Sequence, residues 1–286
     1  MPLVTAGILL ALLFHKFFVD PFYYFSTDNA ELYFAWLIYY ERDAAIRVMQ
    51  RDPGVFRVAS TFPLNGGMVY ALESAWGYHT AATPAYVNLR PFFGGDDPQN
   101  RPTYNLAGNK YQQLGSDLSR YNFSRAAPGL WLNREVLPRV FFVARCRGFD
   151  DTETMAAYAR SSAFEPSREL MLLASDCPRH AEAHGSCAFR SVAESRERYM
   201  ADCTVEGTRG WIFFSVVQYP RWAATVDGRS AELIPANIVF YAVPLDAGTH
   251  RVDLTYRPRG LVWGLWIAAA TGILSLGLIV KARRHG

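Results

Sequence analysis

The chain has 286 residues, half of them hydrophobic, 15% aromatic and only 19% charged, against roughly 25% charged in an ordinary soluble domain. That balance excludes a disordered polyelectrolyte. A formal net charge of +3 with no stripe dense in Lys and Arg excludes an extended nucleic-acid surface, and no glycine-rich phosphate loop is present.

In chain order, Leu3 to Phe14 (LVTAGILLALLF) is apolar, His15 and Lys16 intervene, and Phe17, Phe18 and Val19 continue the run. Lys16 can lay its stem along a helix and reach the interface, so this segment is expected to enter the membrane. A secretory signal fits less well, because the basic leader and the small-residue cleavage site are missing. Phe22, Tyr23, Tyr24 and Phe25 then read as an interfacial belt, closing a first unit at residues 1–25. From Asp28 to Gln50, with Asn29 as cap, Leu32, Ala35, Tyr39, Ala45, Val48 and Met49 recur near helical spacing. Asp52, Pro53 and Gly54 end that helix, and a short strand is expected from Val55 to Ala59. A stretch rich in Gly, Tyr and Pro follows to about Pro102, so residues 26–136 are expected to be helical or irregular and extracytoplasmic.

Beyond Leu137, short strand-like runs separated by turn signals predict an antiparallel β-sandwich over 137–259, and an α+β chain overall. The expected strands are Val140 to Arg145, Glu169 to Ala174, Arg198 to Val205, Trp211 to Gln218, Ala223 to Val226, Glu232 to Ile234, Ile238 to Val243 and His250 to Tyr256. Asp227 and Gly228 predict a hairpin turn, and Asp246, Ala247 and Gly248 a second one, with Pro244 and Gly248 bracketing the last hairpin. Trp222 alternates with Ala224 and Val226, and Asn237 falls in a bend after Pro235. Trp222, Asp227, Gly228, Asn237, Pro244 and Gly248 are read as corners and core of the fold.

Gly260 to Val280 carries no charge over about 21 residues, long enough for a hydrocarbon core near 30 Å. Trp263 and Trp266 lie in its first turns, and Lys281, Arg283 and Arg284 follow it. Three basic residues after the helix against Arg257 and Arg259 before it point to a cytoplasmic tail at 281–286. The expected architecture is a membrane-anchored sandwich between flanking transmembrane helices. The main domain is expected on the extracytoplasmic side of that membrane, with lipid as one partner.

The stretch VVQYPRWAATVDGRSAELIPANIVFYAVPLDAGTHRVDLTYRPRG, followed directly by the apolar run, resembles the C-terminal module of the bacterial YfhO-type membrane proteins. The likeness extends loosely to VFRVAS at 55–60, GYHTAATPAY at 77–86, Tyr104 to Tyr111, LPRVFFV at 137–143 and FEPSRE at 164–169. It implies a GT-C-like glycosyltransferase that takes sugar from a lipid-linked donor to modify an extracytoplasmic polymer, a teichoic acid or a polysaccharide. Relatives of this kind carry many more membrane helices ahead of this region. This chain is therefore expected to act as an accessory part beside a polytopic helical subunit, touching a cell-envelope glycopolymer. The alternative is a non-catalytic envelope protein whose sandwich binds carbohydrate or a protein.

Transfer needs a carboxylate outside the membrane, as base or metal ligand. Asp20, Asp28 and Glu31 follow the first apolar run, and Asp28 is the candidate among them, with helix capping as its competing role. Trp76, Tyr78 and His79 are a second candidate, because rings stack on sugars and an imidazole exchanges hydrogen bonds. Cys146, Cys177, Cys187 and Cys203 allow three pairings. CPRHAEAHGSC, from Cys177 to Cys187, reads either as a disulfide-closed loop, as free thiols, or as a weak zinc set of Cys177, His180, His184 and Cys187. A disulfide would indicate an oxidising compartment.

Overall fold

A computed structural model describes residues 44–59, 67, 70–74, 101–113, 115–178, 183–192, 197–257 and 259–284. The first apolar run, the aromatic belt, Asp28 and the amphipathic helix up to residue 43 lie outside the described residues. The end of that helix is described as α1 (Ala44–Arg51), and it buries Ala45, Ile46 and Met49. It stops where Asp52, Pro53 and Gly54 were expected to stop it.

The strand expected at Val55 to Ala59 is present, and residues expected to be helical or irregular supply three more strands that join it in a four-stranded sheet. Its strands are β1 (Arg57–Ala59), β2 (Asn109–Gln113), β3 (Phe123–Ala127) and β4 (Leu130–Asn133), ordered β1-β2-β4-β3. Strand β1 runs parallel to β2 and the other pairs are antiparallel. These strands are three to five residues long, too short for period-2 alternation to stand out from the surrounding Gly and Tyr. Helix α2 (Arg101–Leu106) precedes β2. Helix α1, β1, β2 and β4 share one core through Ile46, Met49, Val58, Tyr111 and Leu130.

The second half is dominated by one seven-stranded sheet, in place of the two packed sheets of a simple sandwich. Its main path is β11 (Arg229–Ala231), β10 (Trp222–Val226), β13 (Phe240–Tyr256), β9 (Arg198–Phe214) and β5 (Val140–Val143). In addition, β8 (Ala183–Val192) pairs with β9 and β12 (Ile234–Ala236) pairs with β13, and every pair in this sheet is antiparallel. Each of β9 and β13 is 17 residues long, where the sequence reading expected two shorter strands. The expected turn at Asp246 to Gly248 is a register shift within β13, and Pro244 lies mid-strand opposite Trp211.

That shift has a physical effect on which side chains face inward. Along β9 the inward residues of one core are Tyr199, Ala201, Cys203 and Val205, then Ile212 and Phe214; along β13 they are Val243 and Leu245, then Val252 and Leu254. Odd positions hand over to even ones across each bend. A one-residue slip turns every following side chain to the other face. Both halves of the bent ladder therefore line a single core.

A third layer covers the opposite face. Strand β6 (Arg145–Phe149), α3 (Thr152–Ala159) and β7 (Glu169–Leu173) form a strand–helix–strand unit with β6 and β7 parallel. Asp151 caps α3 by accepting from the Thr154 N–H at 2.7 Å. Met155, Phe164, Leu170 and Leu172 pack here against Trp211, Phe213 and Phe240. Asn237 joins the layers: its backbone N–H donates to Met171 O at 2.9 Å, and Met171 N–H donates to its Oδ1 at 2.8 Å. Asn237 is fully buried with φ of 48°, a conformation Asn tolerates better than most residues.

The predicted Asp227–Gly228 turn is present between β10 and β11, both residues having positive φ (53° and 77°). Asp227 also ties the turn to β13, accepting from the Arg251 N–H and meeting His250 Nδ1, both at 2.8 Å. Trp222 opens β10 with its ring 5.4 Å from Tyr256 and 6.0 Å from Tyr199.

All four cysteines are paired, Cys146 with Cys177 and Cys187 with Cys203. A bridge closing the Cys177–Cys187 loop is thus excluded, and so is the zinc set, whose two thiols are both engaged. The first bridge joins the end of the β7 layer back to β6. The second links register partners of β8 and β9.

After Tyr256 the chain enters α4 (Arg259–Arg284), 26 residues long. Among the described residues no helix is long and apolar enough to cross a membrane. In α4 the described side chains run unbroken only from Trp263 to Gly277. Within that stretch Trp263, Leu265, Trp266, Ile267, Ile273, Leu274 and Leu276 are all 62–72% exposed. At 100° per residue these positions cover a little over half of the helix circumference, and the remaining arc holds the small residues Gly264, Ala268, Thr271, Gly272 and Ser275.

Candidate functional site

Among the described residues, a concavity of about 300 Å³ lies near reactive groups, between the end of α1 and residues 70–73, lined by Gln50, Asp52, Phe56, Tyr70 and Glu73 among others. Its two carboxylates are held in different ways, and the local fold accounts for each.

Asp52 lies just past α1. Its Oδ1 accepts from the Gly54 N–H at 2.9 Å, its Oδ2 accepts from the Tyr111 hydroxyl at 2.8 Å, and Lys110 forms an ion pair with it. Burial pushes the Asp52 carboxyl up, but Lys110, the Gly54 amide and Tyr111 together outweigh it and hold the group below its ordinary value. Tyr111 is pushed above the usual phenol range by burial and by the same carboxylate. The Lys110 ammonium also sits 5.2 Å from the Phe56 ring centroid and 5.8 Å from that of Tyr111, so its charge is spread over a carboxylate and two ring faces.

Glu73 is the counter-charge to two buried guanidinium groups. Arg57 Nε donates to Glu73 Oε1 at 3.0 Å; its Nη1 donates to Ala107 O and Ser215 Oγ, and its Nη2 to Ser215 O. Arg139 donates to Ser215 O from Nε and Nη2, and its Nη1 lies 2.9 Å from Glu73 Oε1 in an ion pair without good hydrogen-bond alignment. Burial, and Arg139 beside it, lower Arg57 to about 10, which leaves it charged at neutral pH. Burial pulls Arg139 down too, but Glu73 and Tyr199 outweigh it and the group ends above its ordinary value. Gly108 makes room for this, since a Cβ there would fall 2.7 Å from Arg139 Cδ. The cluster fastens β1 of the small sheet to the strand end after β9, so the cavity's floor is fixed to the large sheet.

With both carboxylates engaged by fixed donors and Phe56 and Tyr70 buried, these groups serve as ties of the fold more than as a proton-transfer pair. Among the described residues no group of three or more His, Cys, Asp and Glu side chains is placed to hold a metal ion.

Of the residues singled out in the sequence, Asp28, Trp76, Tyr78, His79 and His180 lie outside the described residues. His184 lies on β8 opposite Glu206. Trp222, Asp227, Gly228 and Asn237 occupy turns, ring contacts and layer ties as described above. The sequence reading missed Asp52, Arg57, Glu73, Lys110 and Arg139 as a group. A signal was available, because Arg57 in VFRVA and Arg139 in LPRVFFV are lone cations inside apolar strand runs, a pattern that demands a buried counter-charge.

No curated protein and no solved structure matches the chain. Residues 185–268 match the model of a family described as bacterial membrane protein YfhO. The matched span covers nearly all of β8, then β9 to β13, and the first part of α4. The match covers less than a third of the chain, and over residues 185–268 the chain is similar to that bacterial membrane protein family.

Proposed function

We propose that α4 anchors this chain in a bacterial membrane, and that the folded region works outside the membrane as the C-terminal accessory part of a GT-C-like glycosyltransferase that modifies a cell-envelope polymer. The observation that carries the reading is the continuity of β13 with α4 inside the matched segment. A strand of the large sheet leads within three residues into a helix about 39 Å long at 1.5 Å per residue, which from Trp263 to Gly277 carries no charge on any side and leaves its large apolar side chains exposed. A helix apolar all round is a membrane span or a core element, and nothing among the described residues packs over it. The uncharged sequence runs past the described side chains to Gly260 and Val280. The two disulfides support an oxidising compartment for the sheet.

In this reading the donor is a lipid-linked sugar handled by a polytopic helical region, and the sheet holds acceptor polymer near the bilayer. The experiment is membrane fractionation of bacteria that express the chain, combined with sugar analysis of the envelope polymers. The wild-type chain is expected to resist alkaline carbonate. Ile267→Arg with Leu274→Arg is expected to release it, since each charge at the helix centre costs about 2.5–3.5 kcal/mol. Deletion of the gene is expected to remove one sugar substituent. A chain released by carbonate overturns the anchor, and an unchanged sugar content overturns the glycosyltransferase role in favour of a non-catalytic binder.

A further inference from the structure

We propose that the turn Tyr219–Arg221, with Trp222, Tyr256 and Arg257, is a docking surface for anionic lipid headgroups that lays the large sheet against the bilayer. The inference rests on α4 spanning the membrane, as proposed above.

The position of this surface follows from hydrogen bonding. Arg257 N–H donates to Arg221 O at 2.9 Å, so the turn is fixed to the chain two residues before α4 begins. The uncharged stretch starts at Gly260, and the headgroup layer on each side of the hydrocarbon is about 5–7 Å deep. Arg257 and the turn bonded to it therefore lie at headgroup level whenever α4 is inserted.

The chemistry matches that level. Tyr219, Tyr256 and Trp222 form a continuous run of rings, with centroids 5.9 Å apart between Tyr219 and Tyr256 and 5.4 Å apart between Trp222 and Tyr256. Tyr219 is 45% exposed. Amphipathic rings favour the membrane interface. Arg221 and Arg257 are exposed, and among the described residues neither has a carboxylate at ion-pair distance. Of the neighbouring charges, Arg198 and Asp253 neutralise each other, and Glu197, whose carbonyl accepts from the Tyr256 N–H, is exposed. Two unpaired guanidinium groups thus stand against one carboxylate, and guanidinium is the side chain best suited to lipid phosphate. Arg221 also has φ of 91°, a conformation unusual for a residue with a side chain; the turn keeps it there with the guanidinium in solvent.

The test places the full chain in nanodiscs of neutral phosphatidylcholine or of phosphatidylcholine with 30% phosphatidylglycerol. A thiol introduced by Pro220→Cys is labelled with an impermeant maleimide, and Ser230→Cys on β11 serves as a distant control. Two arginines near an anionic surface shift the docking equilibrium roughly 30-fold, so labelling at 220 is expected to slow about tenfold or more in anionic discs while labelling at 230 is unchanged. Arg221→Gln with Arg257→Gln is expected to restore fast labelling, and the corresponding pair of Lys substitutions to keep it slow. Equal rates at 220 in the two lipids overturn the docking surface while α4 still holds the chain in the disc. Slow labelling in both lipids overturns it in favour of a protein contact. Failure of the chain to enter discs of either composition overturns the span, and the docking surface with it.

Discussion

Replacing Asn237 by Ala removes the side-chain acceptor that ties β7 to the large sheet. The Met171 N–H, buried with its residue at 0% exposure, then has no partner, a loss of about 1–3 kcal/mol. Alanine at φ of 48° adds about 1 kcal/mol of left-handed strain. Some of this is returned, because Asn237 Nδ2 is buried and finds no hydrogen-bond partner among the described residues. The expected net loss is about 2–3 kcal/mol, roughly 1 M in urea midpoint at a slope of 2–3 kcal/mol per molar. Asn237→Gly relieves the backbone strain but not the lost bond, and its loss is expected to be about 1 kcal/mol smaller. The assay is tryptophan fluorescence of the full chain in detergent during urea titration. A loss within about 0.5 kcal/mol for Ala, or a Gly variant less stable than Ala, would refute the assignment of Asn237 as the tie between layers.

Glu73→Gln leaves Arg57 and Arg139 without their shared counter-charge, and about 3 kcal/mol is expected to be lost. In an Arg57→Met background the same change is expected to cost less, and equal costs in urea titrations of the two backgrounds would contradict a shared ion cluster. Peptide mapping without reductant is expected to recover Cys146 linked to Cys177 and Cys187 linked to Cys203. Removing the first pair, 31 residues apart, is expected to cost roughly 3–4 kcal/mol by loop entropy, measured as above. For acid stability, the folded Asp52 carboxyl lies below its unfolded value near 3.9. Its contribution is therefore present in full above that value and is lost as pH falls through the folded value. The stability gap between wild type and Asp52→Asn is expected to close between about pH 5 and pH 2; a gap that widens on acidification would reverse the sign of the argument.

What could be read from the sequence follows from how far each signal extends. The Asp227–Gly228 turn was legible because two adjacent residues both tolerate positive φ. The length of α4 was legible because a charge-free run needs no partner to be recognised. Strands β9 and β13 were each read as two, since Gly207, Gly210 and Gly248 carry the turn residues that a bend also uses, and only pairing with another strand distinguishes a bulge from a hairpin. Of the β6–α3–β7 unit, β7 was expected as Glu169 to Ala174, whereas β6 and α3 were missed, because the largely exposed run RCRGF of β6 shows no apolar alternation to detect. At the cavity, Arg57 and Glu73 are 16 positions apart and Arg57 and Ser215 are 158 apart, so their meeting is a property of topology, not of local spacing. The disulfides belong to the same class: Cys177 and Cys187 are close along the chain, but each bonds with a cysteine brought beside it by another strand.

Because β13 passes straight toward α4, any pull applied through α4 enters the folded region along that strand. The β9–β13 ladder has fourteen register pairs, loaded lengthwise and in parallel, so they resist sliding together instead of peeling one at a time. With β10 paired along the other edge of the same strand and a covalent bridge holding β8 to β9, the sheet resists load applied lengthwise through α4.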